Sequence, residues 1–330
     1  MKTNRNKKKN ELKEIFKDFE QQGDLIEQTV DQNQVFNVSD NEASNNASME
    51  DVWMQLDNMV GLEEVKRNVR TNFNYIKFMQ ARKSMNLGCP QRLYNIICTG
   101  APGTGKTTVC RLLGRLFHEC GLLSKGHVVE VSRAQLVGTY IGQTEEKTKE
   151  YIQQASGGIL FLDEAYSLFV NDDGRDFGHR VIDVLLPYLS EGKDMIVVLA
   201  GYSEEMSTFM SANPGLQSRF PLKFNFSDYT PEELMEIAER YFQKYNYLLA
   251  DEARDKIMAN FQEAVKIKNF GNGRFVKTFL ENTVIPRMSD RLAAAFDTNY
   301  TAQDLMLIVA EDIPEAMKNK LQTKRKIGFR

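Results

Sequence analysis

Eight consecutive residues restrict this chain more than any other feature: Gly100, Ala101, Pro102, Gly103, Thr104, Gly105, Lys106 and Thr107, which fit G-x-x-x-x-G-K-[ST]. Glycines let a backbone curl tightly enough for successive N–H groups to point at one anion. The setting sharpens the reading. The apolar run Asn95–Thr99 before the loop predicts a strand. The segment after it places Val109, Leu112, Leu113, Leu116 and Phe117 at i, i+3, i+4, i+7, i+8 spacing, as in an amphipathic helix laid on a sheet. A helix that starts at such a loop adds the positive end of its dipole to the anion site. A turn that only joined strand to helix would not need Lys-Thr at its end. The backbone of Ala101, Pro102, Gly103, Thr104, Gly105, Lys106, Thr107 and Thr108 is therefore expected to cradle the phosphates of ATP. The Lys106 ammonium is expected against the β- and γ-phosphates, and the Thr107 hydroxyl on Mg2+.

A second element lies 57 residues beyond Lys106. Ile159-Leu-Phe-Leu-Asp163-Glu164 reads as a buried strand that ends in two carboxylates. In a protein with this loop, the carboxyl ends of the strands face the nucleotide. Asp163 is then expected to act on Mg2+ through its water shell. Glu164 is expected to orient and polarise the attacking water, which points to hydrolysis and not merely to nucleotide sensing. An acidic strand end by itself is usually a solvated turn; the loop upstream gives it meaning.

These two elements sit in a larger alternation. Apolar runs at Asn95–Thr99, His127–Ser132, Gly158–Asp163, Met195–Ala200 and Phe220–Phe226 are separated by helical patterns over residues 51–228, which predicts a three-layer α/β sandwich on a parallel sheet. Beyond Asp228 the strand signal fades. Thr230-Pro231-Glu232-Glu233 reads as N-cap, proline at N1 and capping-box glutamate. The helix it opens should bury Leu234, Ile237, Ala238, Tyr241 and Phe242. Further helices are expected over 251–267, 274–293 and 302–309, so 229–315 reads as a small all-α domain. The ends differ from this body. Residues 21–51 carry seven Asp/Glu, no Lys or Arg and few large apolar side chains, so 1–50 reads as a charged arm without a core of its own. The tail 316–330 is basic, with six bases and no acid from Lys318 onward. A net charge of -3 argues against wholesale nucleic-acid binding, and no apolar run reaches the length of a membrane span. Cys89, Cys98, Cys110 and Cys120 form no CxxC pair, and three lie in or beside apolar runs, as buried thiols of a reducing cytoplasm do.

From Leu56 to about Leu292 the chain resembles the CbbX/CfxQ (red-type Rubisco activase) and stage V sporulation protein K group of AAA+ ATPases. The strings that carry the likeness are GHVVEVSRAQLVGTYIGQTEEKT, GGILFLDEAYSL, AGYSEEM and NPGLQSRF. The resemblance implies an ATP-hydrolysing protein-remodelling motor with a helical lid, assembled as a homo-oligomeric, hexameric ring that threads or pulls a client protein. It implies roles for particular residues. Val60 and Gly61 match the adenine-side segment. Arg219 in Ser-Arg-Phe matches the arginine finger, which reaches the neighbouring subunit's γ-phosphate. Arg274 in Gly271-Asn-Gly-Arg matches the sensor-2 arginine. Tyr140, Ile141 and Gly142 match the aromatic–hydrophobic–glycine pore loop, and the acidic loop Asn171–Phe177 is a second candidate for the pore. Tyr202 stands where most AAA+ proteins have a polar sensor-1 asparagine. Two other classes share the ATP site. A nucleic-acid motor or loader would be expected to show a basic pore, which Tyr140 and the acidic loop speak against. A nucleotide-dependent assembly scaffold would not need both Glu164 and Arg219.

Overall fold

All five apolar runs are strands. The computed structural model describes residues 48–140, 142–169, 177–190, 194–212, 214–294 and 300–316. The expected arm as far as residue 47, Ile141, the acidic loop from 171 to 176 and the basic tail from 317 lie outside the described residues. The strands are β1 (Ile96–Gly100), β2 (Val128–Val131), β3 (Ile159–Leu162), β4 (Ile196–Gly201) and β5 (Leu222–Phe226). All pair in parallel, in the order β2-β3-β4-β1-β5. Register is set by pairs such as Ile97 with Leu199, Phe161 with Val198 and Ile96 with Leu222. β3 and β4 are buried throughout, as inner strands covered on both faces must be, while edge strand β5 alternates buried and exposed residues.

Helices cover both faces. The first, α1 (Met49–Asp57), crosses the boundary expected at residue 50 and is closed by a capping box between Ser48 and Asp51. With α2 (Glu63–Ser84) and α3 (Lys106–Glu119) it packs on one face against Ile96, Cys98, Phe161, Val198 and Phe224. On the other face α4 (Gln143–Gln154), α5 (Gly178–Leu185) and α6 (Ser203–Ala212) enclose Ile97, Leu160, Val197 and Leu199. Cys98, Cys110 and Cys120 are buried free thiols, and burial pushes Cys98 up to about 12. Among the described residues no helix is long and apolar enough to cross a membrane.

The helical domain opens at α7 (Pro231–Lys244) with the expected box: Thr230 Oγ1 accepts from the Glu233 amide and Glu233 returns an oxygen to the Thr230 amide. It continues through α8 (Asp251–Ala264), α9 (Asn272–Phe279) and α10 (Ile285–Ala294). The single helix expected over 274–293 starts two residues earlier and carries a π-turn at Leu280–Val284. Pro286 has no amide to offer the carbonyl four residues back, which lies inside that turn. The helix expected over 302–309 stops at Met306. Leu307–Ile308 instead form a two-residue parallel ladder with Leu248–Leu249, because burying both side chains there leaves backbone groups that need partners.

One buried polar side chain ties the sheet to the segment that carries Arg219. Asn95, 4% exposed, precedes β1. Its Oδ1 accepts from the Val197 amide at 3.0 Å, and its Nδ2 donates to the carbonyls of Arg219 at 3.0 Å and Leu189 at 3.5 Å. Asn95→Ala strands these groups in the core and is expected to lower unfolding free energy by about 1–3 kcal/mol. Urea unfolding of the full chain measures this; an unchanged midpoint would refute the assignment.

Candidate functional site

The loop of the opening motif leaves the carboxyl end of β1 and enters α3 at Lys106. Unlike α1 and α7, α3 has no side chain capping its start and no acidic residue in its first turn. The first amides of a helix have no intrahelical acceptor, so this start is an open set of donors. They face a cavity of about 320 Å³ lined by Pro102, Gly103, Gly105, Lys106, Thr107, Thr108, Asp163, Glu164, Gly201, Tyr202 and Arg274. The two sequence elements, the acidic strand end and the phosphate-type loop, are therefore brought together. Amide donors, two cations and two carboxylates around one cavity suit a polyphosphate and its counter-ion.

The Lys106 ammonium donates to the carbonyls of Gly100 and Ala101, both at 2.8 Å. Burial lowers its pKa, and the nearby Asp163 carboxylate works in the opposite direction. Asp163 and Glu164 are exposed to the cavity mouth at the end of β3. Glu164 sits at φ 48°, left-handed space that a residue with a Cβ rarely occupies, and its amide donates to Asp163 Oδ1 at 3.0 Å. That turn lifts its carboxylate clear of the strand. Tyr202 lines the cavity, and its ring lies 5.7 Å from that of Tyr166. Burial, then Glu164, pushes the Tyr166 phenol up to about 12, so it stays neutral beside the carboxylates.

The helical domain closes the other side. Gly103, at φ 73°, passes so near α9 that a Cβ on it would lie 2.1 Å from the Gly271 carbonyl oxygen. This brings Arg274 to the cavity. Val60 and Gly61 do not line it; they lie in the turn between α1 and α2, whose Met59 and Leu62 approach Gly105 from the flank. Ala101 and Thr104 likewise do not line it; Thr104 is buried, and its Oγ1 donates to the Ala101 carbonyl at 2.8 Å. Arg219 is elsewhere: it is half-buried, donates to the Gly215 carbonyl and does not line this cavity.

Tyr140 is 74% exposed, at a turn before α4. Gln143 Oε1 accepts from the amides of Thr139 at 2.8 Å and Tyr140 at 3.4 Å, and Thr144 Oγ1 accepts from the Gly138 amide at 2.9 Å. The turn's backbone is thus anchored while its aromatic ring projects. Gly142, at φ 88°, caps α4 with nothing within 4 Å of a notional Cβ.

Sequence reasoning missed Tyr166, Tyr229 and Asn272. Tyr229 donates its hydroxyl to the Thr104 carbonyl at 3.4 Å, and Asn272 is wholly buried between the loop and the helical domain. Asn272 stood in the string Gly271-Asn-Gly-Arg, but only the arginine suggested a role, because a buried amide leaves no periodic signal.

Comparison with known proteins agrees with this geometry. Residues 96–228 match the ATPase family associated with various cellular activities (AAA), and residues 230–323 match the AAA lid domain. The chain is 41% identical over 270 residues to stage V sporulation protein K of Bacillus subtilis (strain 168), covering 80% of this chain and 82% of that one. It is 36% identical over 271 residues to protein CbbX of Cereibacter sphaeroides, covering 81% and 87%. Among solved structures, the FIGL-1 AAA domain shares the fold at TM-score 0.56 and 16% identity, covering 78% of this chain and 80% of that one. The chain belongs to the AAA+ ATPases, in the group that contains stage V sporulation protein K, CfxQ and CbbX.

Proposed function

We propose that this protein hydrolyses ATP in a ring of identical subunits, hexameric as the family resemblance implies, and uses the cycle to pull on a client protein. The observation that carries the proposal is the cavity itself, where the uncapped start of α3 faces Lys106, Asp163, Glu164 and Arg274 together. Amides of the loop and first turn bind the phosphates. Lys106 leaves the carbonyls of Gly100 and Ala101 to meet the β- and γ-phosphate oxygens, a move that the competing charge of ATP makes favourable. Glu164 holds the attacking water and takes up its proton as the bond to phosphorus forms. Arg274 reads the γ-phosphate from the lid side.

The residues fit a magnesium ion. Thr107 and Asp163 line the same cavity and offer a hydroxyl and a carboxylate, and Mg2+ favours such hard oxygens together with phosphate oxygens and water. Bound there, it would neutralise charge on the β- and γ-phosphates. Among the described residues no group of three or more His, Cys, Asp or Glu side chains is placed to hold a metal unaided. The nucleotide must complete the site.

Two features support the ring and the client. Arg219 is off its own cavity, so its charge serves hydrolysis only if it enters a neighbour's. Tyr140 exposes an aromatic ring on an anchored turn, and apolar contact of that kind grips a polypeptide without regard to its sequence. Ile141 adjoins it in the chain.

Glu164→Gln is expected to keep ATP binding and lose turnover by roughly two or more powers of ten, read by phosphate release alongside nucleotide affinity. Near wild-type hydrolysis would remove Glu164 from its role. Arg219→Ala and Glu164→Gln chains, each inactive alone, should regain activity when mixed, since roughly a quarter of the interfaces in a random ring then hold both intact groups. Mixtures as inactive as their components would exclude a finger acting between subunits. Tyr140→Ala should hydrolyse ATP normally yet fail to unfold or release a client trapped by Glu164→Gln; a variant that still remodels it would end the pore-loop assignment.

A further inference from the structure

The contact between the phosphate loop and the helical domain is more specific than packing. Asn272, the first residue of α9, is 0% exposed and has φ 50°, a left-handed conformation that asparagine tolerates better than most residues. Its Nδ2 donates to Asp228 Oδ1 at 2.7 Å and to the Pro102 carbonyl at 3.4 Å, and its Oδ1 accepts from the Tyr229 amide at 2.8 Å. The next residue continues the clasp, with the Gly273 amide donating to the Gly103 carbonyl at 3.1 Å. One side chain therefore joins the loop, the connector between the domains and the start of α9. A carboxamide, with two donors and an acceptor, meets a carboxylate, a carbonyl and an amide at once, and asparagine's short stem suits the left-handed backbone.

The consequence for the site follows from peptide geometry. In a trans peptide the C=O and the following N–H point in opposite directions. Holding the Pro102 carbonyl toward α9 aims the Gly103 amide away from it, and holding the Gly103 carbonyl does the same for Thr104. Lys106 now occupies the carbonyls of Gly100 and Ala101. Once it turns to phosphate, the anchors on Pro102 and Gly103 come from the helical domain alone.

We propose that Asn272 is a positioning residue for nucleotide binding: it clasps the Pro102 carbonyl, so the Gly103 amide is aimed at the phosphates only while the two domains keep this arrangement. This rests on the reading that the cavity takes ATP. It makes loop geometry and lid position two expressions of one contact, independent of the charge on Arg274.

The test is a swap at the Asp228–Asn272 pair, read on the full chain by thermal unfolding midpoint and by affinity for a fluorescent ATP analogue. Asn272→Asp sets two carboxylates face to face, and both readouts should fall. Adding Asp228→Asn restores a donor between positions 228 and 272, and the introduced carboxylate still accepts from the Tyr229 amide, so the midpoint should recover. The Pro102 carbonyl still faces a carboxylate, so affinity should stay weaker by on the order of tenfold. A double variant that regains affinity along with stability would show a merely structural clasp and overturn the proposal. Should either chain carrying Asn272→Asp fail to fold, Asn272→Gly decides: glycine accepts the left-handed backbone and removes the amide, and wild-type affinity there would also overturn it. Failure of the wild-type chain to bind the analogue would count against the ATP reading and not against the clasp.

Discussion

The uncapped start of α3 is the constraint around which the rest of this structure is arranged. The first amides of a helix need acceptors; α1, α7 and the short helix after Thr301 find them in capping boxes, while α2, α4, α5, α8 and α9, like α3, have no side-chain cap. At Lys106 the chain offers none, and it keeps acidic residues out of the first turn. Those donors face the cavity. β1 sits between β4 and β5, with its carboxyl end at the point where the chain has to cross the sheet. The crevice outside the strand ends at such a switch is where α/β proteins bind phosphates.

Around that start, the positions of the acids and cations follow from strand register. β3 and β4 are neighbours, so Asp163 and Glu164 at the end of one lie beside Gly201 and Tyr202 at the end of the other. Glu164 then needs a left-handed backbone to present its carboxylate, a local strain of the kind that persists where packing fixes it. Tyr166 packs against Tyr202 at the edge of the cavity. Burial, then Glu164, raises the Tyr166 phenol above its ordinary value.

Two groups lie away from the cavity. Arg219 is anchored through its backbone to Asn95 and the sheet, yet does not line the cavity beside it. Tyr140 is displayed to solvent on a turn tied down by Gln143 and Thr144. Their anchored backbones suit the function proposed above, in which a neighbour and a client supply the other half of each contact. In the lid, Asn272 and Gly273 hold the loop carbonyls of Pro102 and Gly103.

By itself, the sequence determined the local pieces. The loop, the DE strand end, five strands and the capping box at Thr230 each depend on short-range chemistry: glycine freedom, apolar runs and side chains that bond their own backbone neighbours. Such features are legible because cause and effect lie within a few residues. Tertiary structure alone decided what distant residues do to one another. Asn272 and Asn95 act across separations of 170 and 124 residues, through single hydrogen bonds that no pattern announces. The ladder between Leu248–Leu249 and Leu307–Ile308 was hidden for the same reason, since two residues carry no period and their pairing exists only once the helical core has closed around them.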